Sequence, residues 1–180
     1  MQITQLKSRT LALYFTLCAI SPTTRALSDA DNVHFYGTLV SEACTLRPGD
    51  ETIRVDFSDI VDSYLYNNGR TPSKSFQLRL LDCDLSIGNQ LSVSFSGNES
   101  IALPGLLAVM PNNSGIAVGI EDAEGKAIAL NSGNKKITLE NGNMTLKFAA
   151  WIQGEPQAIK AHSITGGKFS AVATFRLDYL

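Results

Sequence analysis

The sequence ends with Phe169-Ser-Ala-Val-Ala-Thr-Phe-Arg-Leu-Asp-Tyr-Leu180, in which apolar and polar residues alternate almost without interruption. Alternation with a period of two predicts a β-strand with one face on a hydrophobic core and the other in water. The sequence stops inside this strand without a closing hairpin, although sheets usually protect an exposed edge. The pattern alone leaves open whether the strand pairs on both sides or lies at an open edge. The core-facing positions are Phe169, Ala171, Ala173, Phe175, Leu177 and Tyr179.

The same period of two extends upstream through most of the chain. Turn-forming sequences separate the alternating runs, for example at 47–50, 67–69, 131–133 and 141–142. No window predicts a helix longer than a turn or two. Several short strands at this spacing, with 14 glycines, predict an all-β sandwich. The apolar positions of the upstream strands are Val33, Phe35, Gly37 and Leu39; Ile53, Val55 and Phe57; Phe76, Leu78 and Leu80; Leu91, Val93 and Phe95; Ile116, Val118 and Ile120; and Met144, Leu146, Phe148 and Ala150.

Residues 1–28 are predicted to be a signal peptide. Lys7 and Arg9 precede an apolar run of ten residues, 11–20, which is shorter than the roughly 20 residues that span a membrane. Small residues allow cleavage after Ser28 or after Ala26. The alternative is an amphipathic start to a cytoplasmic fold. Cleavage after Ser28 leaves one domain-sized chain that is exported from the cytoplasm.

The charge of the mature chain argues against nucleic-acid binding. Residues 1–28 carry three of the 15 basic residues and none of the 17 acidic ones, so 12 basic and 17 acidic residues remain. The basic residues do not cluster, and binding to phosphates depends on clustered cations.

Two cysteines remain in the mature chain, Cys44 and Cys83. In an exported protein an even pair predicts one disulfide. The alternatives are metal or redox chemistry, but the spacing is not C-x-x-C, and the chain has only His34 and His162 to complete a metal site. No metal or cofactor is therefore expected.

Sequence motifs for catalysis are absent, and the chain is not expected to be an enzyme. The stretch 119–126 resembles a phosphate-binding loop but has one residue too many between its glycines, and it is interpreted as a turn. Asp82 and Asp84 flank Cys83, where they would raise the pKa of a thiol rather than activate it. They are interpreted as solvated loop acids, and His34 as an exposed strand residue.

Aromatic residues allow a second class of function. Trp151, or Tyr64 and Tyr66, could form a platform for a sugar in a secreted carbohydrate-binding sandwich. For Trp151, a position in the core or at its rim is the simpler interpretation.

Four features, taken together, resemble the subunits (pilins) of chaperone–usher fimbriae across essentially the whole mature chain. The second and the third of these features are also close to the adaptor subunits of P-pilus-type fimbriae. In chain order, the four features are Val33-His-Phe-Tyr-Gly37-Thr-Leu39 followed by Cys44; Tyr66–Phe76 running on to Leu80–Cys83; Ala102–Gly105 followed by Gly115–Ile120; and an aromatic penultimate residue, Tyr179, with Gly167 fourteenth from the end.

This resemblance implies an incomplete immunoglobulin-like sandwich of six strands, with the seventh supplied in trans by another chain. Residues 29–41 would be an N-terminal extension that donates a strand, and 42–180 the pilin domain. Strand addition by donor-strand complementation is a known mode of recognition. The donor residues would be Val33, Phe35, Gly37 and Leu39, and the chaperone and acceptor groove would involve Gly167, Ala171, Ala173, Phe175, Leu177, Tyr179 and Leu180.

The implied partners are a periplasmic pilus chaperone, an outer-membrane usher and neighbouring pilins, with no small-molecule substrate. The chain would pass through the periplasm to a fimbrium on the cell surface, where fimbriae serve adhesion. Within the family an adaptor or other minor subunit is preferred, and a major rod subunit or a terminating subunit stays open. A tip adhesin would need an additional lectin domain.

Overall fold

Two antiparallel sheets form the sandwich in the part of the chain that the computed structural model describes, which is residues 36, 37, 39 and 41–180. The first sheet has the strand order β1-β2-β7-β5-β4, and the second has the order β6-β3-β8. Six of these strands have five residues or more, which is the number that the resemblance implies; five of the six lie at predicted positions, whereas β6 was not predicted. The strands are β1 Thr45–Leu46, β2 Lys74–Cys83, β3 Gln90–Gly97, β4 Leu107–Ala108, β5 Ile116–Asp122, β6 Asn134–Thr138, β7 Gly142–Gly154 and β8 Ala173–Tyr179.

The chain divides into two compact units, residues 1–39 and 40–180. In the first unit the structure describes Tyr36, Gly37 and Leu39, and all three are exposed. The predicted signal peptide, 1–28, and the predicted donor residues Val33 and Phe35 lie outside the described residues.

The core lies between the two sheets and is built by the alternating apolar residues. Phe95 of β3 packs edge-on against Phe148 of β7, with ring centroids 5.3 Å apart. Around them Leu78, Leu91 and Val93 are completely buried. The period of two that was predicted for β2, β3 and β7 is confirmed, since one face of each carries the core residues.

Strand β5 differs from the prediction because it is buried on both faces. Its outer face is covered by Trp151, whose ring lies so close to Gly119 that an added Cβ would overlap it. Arg70 packs over the same ring, at 4.2 Å, and pairs with Glu121 on β5. Small residues on β5 therefore make room for side chains from its neighbours.

The predicted strand at Ile53, Val55 and Phe57 is not a paired strand. Residues 53–61 belong to no sheet, although the three apolar side chains are half-buried and the residues between them are exposed. The predicted alternation is therefore present, but no strand of the described chain pairs with this segment. The predicted strand Phe169–Leu180 is also shorter as a regular element, because β3 ends at Gly97 and Ser170 pairs with Met110 instead.

Two short helices complete the described fold, α1 Asp62–Asn68 and α2 Pro156–Ala161. Helix α1 buries Leu65 and ends at Gly69, which has a positive φ of 75° and donates its N–H to the carbonyl of Leu65. Helix α2 has proline in its first turn, where no backbone N–H is required. Neither helix in the described residues is long and apolar enough to cross a membrane.

Candidate functional site

Strand β8 is an edge strand with a row of free backbone groups. It pairs with β3 on one side, in the register Leu91 opposite Tyr179, and has no strand on its other side among the described residues. The N–H of Leu180 donates to the carbonyl of Gln90 at 2.9 Å. In an antiparallel pair the hydrogen-bonding direction alternates along the strand. The N–H and C=O groups of the odd-numbered residues of β8 therefore point away from β3, towards the open side.

The core-facing side chains of β8 are only half-buried, in contrast to those of β3. Leu91, Val93 and Phe95 on β3 are almost completely buried. One strand further out, Phe175 and Leu177 pack on the core but keep part of their surface exposed. The cover of the core is therefore incomplete along this edge.

The opposite wall of the opening is the unpaired segment 53–60. Its residues Val55, Phe57 and Ile60 are half-buried against the core. Phe57 meets Phe169, with ring centroids 6.4 Å apart, at one end of the opening. The segment is anchored upstream by Asp50, which accepts hydrogen bonds from the Arg79 side chain at 2.6 and 2.9 Å.

These features define an apolar groove between segment 53–60 and the run 169–179, which we call the edge groove. Its side chains are the half-buried apolar residues of both walls: Ile53, Val55, Phe57 and Ile60 on one side, and Phe169, Ala171, Ala173, Phe175, Leu177 and Tyr179 on the other. The run 169–179 is about 33 Å long at about 3.3 Å per residue. The groove thus has the length of one strand, an apolar floor and unpaired backbone groups along one side.

A cavity of about 90 Å³ lies at the end of the edge groove next to Phe169. It is lined mainly by apolar side chains, among them Ile60, Leu65, Ile116 and Ile164. Ser114 also lines it, and its buried hydroxyl has no hydrogen-bond partner among the described residues. The cavity is far larger than the roughly 10–15 Å³ that one water needs, and it is suited to an apolar side chain.

The other end of the groove is the point where the chain enters this unit. Tyr179 donates its hydroxyl to the carbonyl of Cys44 at 3.1 Å. Burial raises the pKa of the Tyr179 hydroxyl, and the charge of Glu42 raises it further. A Cβ on Gly88 would lie 3.2 Å from the carbonyl oxygen of Leu180 and 3.9 Å from Ala43. The chain entry and the C-terminal carboxylate therefore share one pole of the unit, and the cavity lies at the opposite pole.

The predicted acceptor residues lie along this groove. Gly167, Ala171, Ala173, Phe175, Leu177 and Tyr179 follow one another from the cavity to the chain entry, where Leu180 is exposed. Among the predicted donor residues, Gly37 and Leu39 are described and exposed, and Val33 and Phe35 are outside the described residues.

Sequence reasoning missed the second wall and the cavity. Ile53, Val55 and Phe57 were expected to form a paired strand, and nothing indicated that Ile60 and Ile164 meet at the cavity. An alternating run that belongs to no sheet was the available signal, but it becomes visible only once the strand pairing is known.

The predicted disulfide is present between Cys44 and Cys83. It ties the chain entry to the end of β2, directly beside the C-terminal end of the groove.

The residues considered for binding a sugar or a phosphate have structural roles instead. Trp151 is only 5% exposed, so it cannot serve as an open platform for a sugar. The hydroxyl of Tyr66 accepts the N–H of Ile164. In the stretch 119–126, residues 119–122 belong to β5 and a turn follows at 123–125, where the Asp122 carboxylate accepts the N–H groups of Glu124 and Lys126.

Asp82 and Asp84, the acids beside Cys83, are both exposed. The carboxylate of Asp84 accepts the N–H of Ser86, and hydrogen bonds from Ser86 lower its pKa. No group of three or more possible metal ligands is found in residues 36, 37, 39 and 41–180.

The fold is shared with solved pilus subunits. It matches the crystal structure of the P pilus rod subunit PapA with a TM-score of 0.67 at 22% identity, covering 77% of this chain and all of that one. It also matches a subunit in the structure of a chaperone–usher pilus with a TM-score of 0.68 at 23% identity, covering 85% of this chain and 97% of that one. The fold is therefore the immunoglobulin-like sandwich of the pilin type.

Sequence comparison gives the family. The model of the family "Fimbrial protein" matches residues 33–180. Similar proteins include "Fimbria A protein" of Serratia marcescens, 32% identical over 82% of this chain and 83% of that protein. "Major fimbrial subunit" of Proteus mirabilis is 31% identical over 88% and 86% of the two chains, and "Fimbrial adapter PapK" of Escherichia coli is 30% identical over 83% and 88%. The chain belongs to the fimbrial protein family and is a fimbrial subunit.

Proposed function

We propose that this chain is built into its fimbrium by donor-strand exchange, in which the edge groove takes up the N-terminal extension of a neighbouring subunit. The observation that carries the proposal is β8 itself, an edge strand with an incompletely covered apolar face. Strand addition to such an edge gains main-chain hydrogen bonds, and alternate side chains enter pockets. The donor would bring Val33, Phe35 and Leu39 into the groove.

The direction of the entering strand follows from the two poles. A subunit's own extension leaves at the pole of Ala43 and Leu180, so a head-to-tail fibre requires the next subunit at the opposite pole, near Phe169. The extension of that subunit then enters with its C-terminal end at the cavity and its N-terminal end towards Leu180. It runs antiparallel to β8, and its last apolar residue, Leu39, enters the cavity.

Before assembly the same groove would be protected by a periplasmic chaperone. An open apolar edge is prone to aggregation, so an exported subunit needs a temporary strand until its neighbour arrives. The exposed carboxylate of Leu180, beside the chain entry, is the group that basic residues of the chaperone would hold. An outer-membrane usher would be the place of exchange.

Two positions in the fibre are proposed. The first is an adaptor or other minor subunit, supported by the resemblance of the stretches Tyr66–Phe76 and Ala102–Gly105 and by the similarity to PapK. The second is a major rod subunit, supported by the similarity to the fimbria A and major fimbrial subunits. The open cavity beside Phe169 supports a subunit that accepts a neighbour over a terminating one.

The mechanism is tested by co-expression with candidate periplasmic chaperones. We expect a stable one-to-one complex that is lost when residues 173–180 are deleted. A mature chain that is monomeric, unfolds cooperatively at high temperature and binds neither chaperone nor extension peptide would overturn the proposal.

The position in the fibre is tested by deleting the gene. Loss of all fibres indicates a major subunit, whereas fibres that persist but lose their tip indicate an adaptor.

A further inference from the structure

Large apolar side chains are also exposed on the solvent-facing side of the sheet near β8. Val172 is 80% exposed and Met110 is 58% exposed. Ser170 exchanges two backbone hydrogen bonds with Met110, at 2.8 and 3.1 Å, so the side chains of Ser170 and Met110 lie on one face. Val172 follows Ser170 by two residues and lies on that face too. Of these residues, Val172 borders the side of the run that is open to a new strand, whereas Met110 is hydrogen-bonded to Ser170 on the β3 side.

The register of the entering strand follows from the cavity. If Leu39 of a neighbouring copy enters the cavity beside Phe169, an antiparallel strand places Gly37 opposite Ala171. Because direct neighbours in a sheet share a face, Gly37 then faces Ala171, and two residues further along Phe35 faces the small Ala173.

The same register fixes the pairs on the outer face. Residues between the inward-facing ones point outward, so Tyr36 of the donor lies directly opposite Val172 of the acceptor, and Thr38 lies opposite Ser170. Tyr36 is 96% exposed in the described chain, and Val172 is the most exposed large apolar residue of the acceptor run.

We propose that Tyr36 of one copy covers Val172 of the next, so that the donor strand is recognised on its solvent face as well as in the groove. The assignment rests on the proposed donor-strand exchange, and its occupant is a second copy of this chain. An aromatic ring over a β-branched residue is a favourable cross-strand pair. The phenol suits this position because its ring covers Val172 while its hydroxyl stays in water. The contact forms wherever two copies are adjacent.

The pair is tested with the mature chain purified in complex with its chaperone and a synthetic peptide of residues 31–41. The peptide is offered in its native form and as Tyr36→Ser. The acceptors are the native chain, Val172→Ser and, as a matched control on the same face, Arg176→Ser. The apparent dissociation constant of each peptide is measured from peptide release in urea.

We expect Tyr36→Ser to weaken binding about threefold in the native chain and in Arg176→Ser, as typical for a cross-strand pair. In Val172→Ser the two peptides should bind equally. If the Tyr36→Ser peptide loses affinity equally in all three acceptors, Tyr36 does not contact Val172. If this loss of affinity disappears only in Arg176→Ser, Tyr36 lies four residues further along β8 and the proposed register is wrong. If the native peptide does not bind the native chain, the donor-strand mechanism itself fails, which distinguishes the two proposals.

Discussion

Closing the cavity at the end of the edge groove should block strand uptake without unfolding the subunit. Ser114 lines this cavity and is 5% exposed, and its hydroxyl has no partner among the described residues. In Ser114→Leu three carbons replace the oxygen, a net gain of two heavy atoms. These atoms extend from the wall into the cavity of about 90 Å³, where the proposed strand direction places the side chain of Leu39.

The expected loss of affinity follows from the side chain that is excluded. Full burial of a leucine stabilises by about 1.5–3 kcal/mol, so exclusion of Leu39 should weaken the peptide 31–41 by about 10- to 150-fold. Removing an unpaired buried hydroxyl offsets part of the strain of the larger side chain, because such a group costs about 1–3 kcal/mol. The subunit should therefore still fold and still bind its chaperone.

The assay is exchange of the chaperone for the peptide, followed by native mass spectrometry, with the dissociation constant taken from urea-induced release. Ser114→Ala is the matched control, since it removes the hydroxyl without filling the cavity, and it should bind the peptide like the native chain. A peptide with the substitution Leu39→Ala should bind the Ser114→Leu subunit as well as the native peptide does. If Ser114→Leu is folded and binds the native peptide with unchanged affinity, Leu39 does not enter this cavity and the proposed strand direction is wrong.

Three further outcomes are expected. Deletion of residues 29–39 should leave chaperone binding intact but stop insertion into the preceding subunit, so pull-down with the chaperone succeeds while fibres detected by electron microscopy disappear; continued polymerisation would refute the donor role. Replacing Cys44 and Cys83 together by alanine should lower the free energy of unfolding of the peptide-bound subunit by up to about 4 kcal/mol, given their separation of 39 residues, and a loss below about 1 kcal/mol in urea denaturation would contradict this. The hydrogen bond from Lys135 lowers the pKa of Asp122 below its ordinary 3.8; the folded chain then binds fewer protons than the unfolded one, so this contribution is complete above about pH 5 and is lost as the pH falls further. In Asp122→Asn the urea midpoint of unfolding should therefore fall less steeply as the pH is lowered below about 5, and an unchanged fall would exclude the pair as its cause.

The sequence predicted which face of a strand is apolar better than it predicted which strands pair. The run from Phe169 to Leu180 was predicted as a strand with one apolar face, and the half-buried odd-numbered residues of β8 confirm this. The segment around Val55 has the same alternation, yet it pairs with no strand of the described chain. Periodicity describes which side of a segment is apolar, and it contains no information about which other segment lies beside it.

The sequence also did not predict that β5 is buried on both faces. Residues Ile116–Asp122 look like a half-exposed strand, but Trp151 and Arg70 cover the outer face of β5. The interpretation of Trp151 as a core or rim residue is confirmed, and its alternative as a sugar platform is wrong, for the same reason: the ring lies on the backbone of Gly119. The covering side chains come from other segments of the chain, so they could not be predicted from the local sequence of β5.

The sequence by itself determined the all-β class, the positions of five of the six longer strands, the disulfide and the family, because side-chain alternation, turn residues and the cysteine pair can be read directly from the chain. Only the tertiary structure decided that β8 lies at an open edge, that segment 53–60 forms the facing wall and that a cavity lies at one pole. The physical reason is that a core stays open where no other segment packs beside a strand. Which segments pack together depends on contacts between residues distant in sequence, such as Phe57 and Phe169.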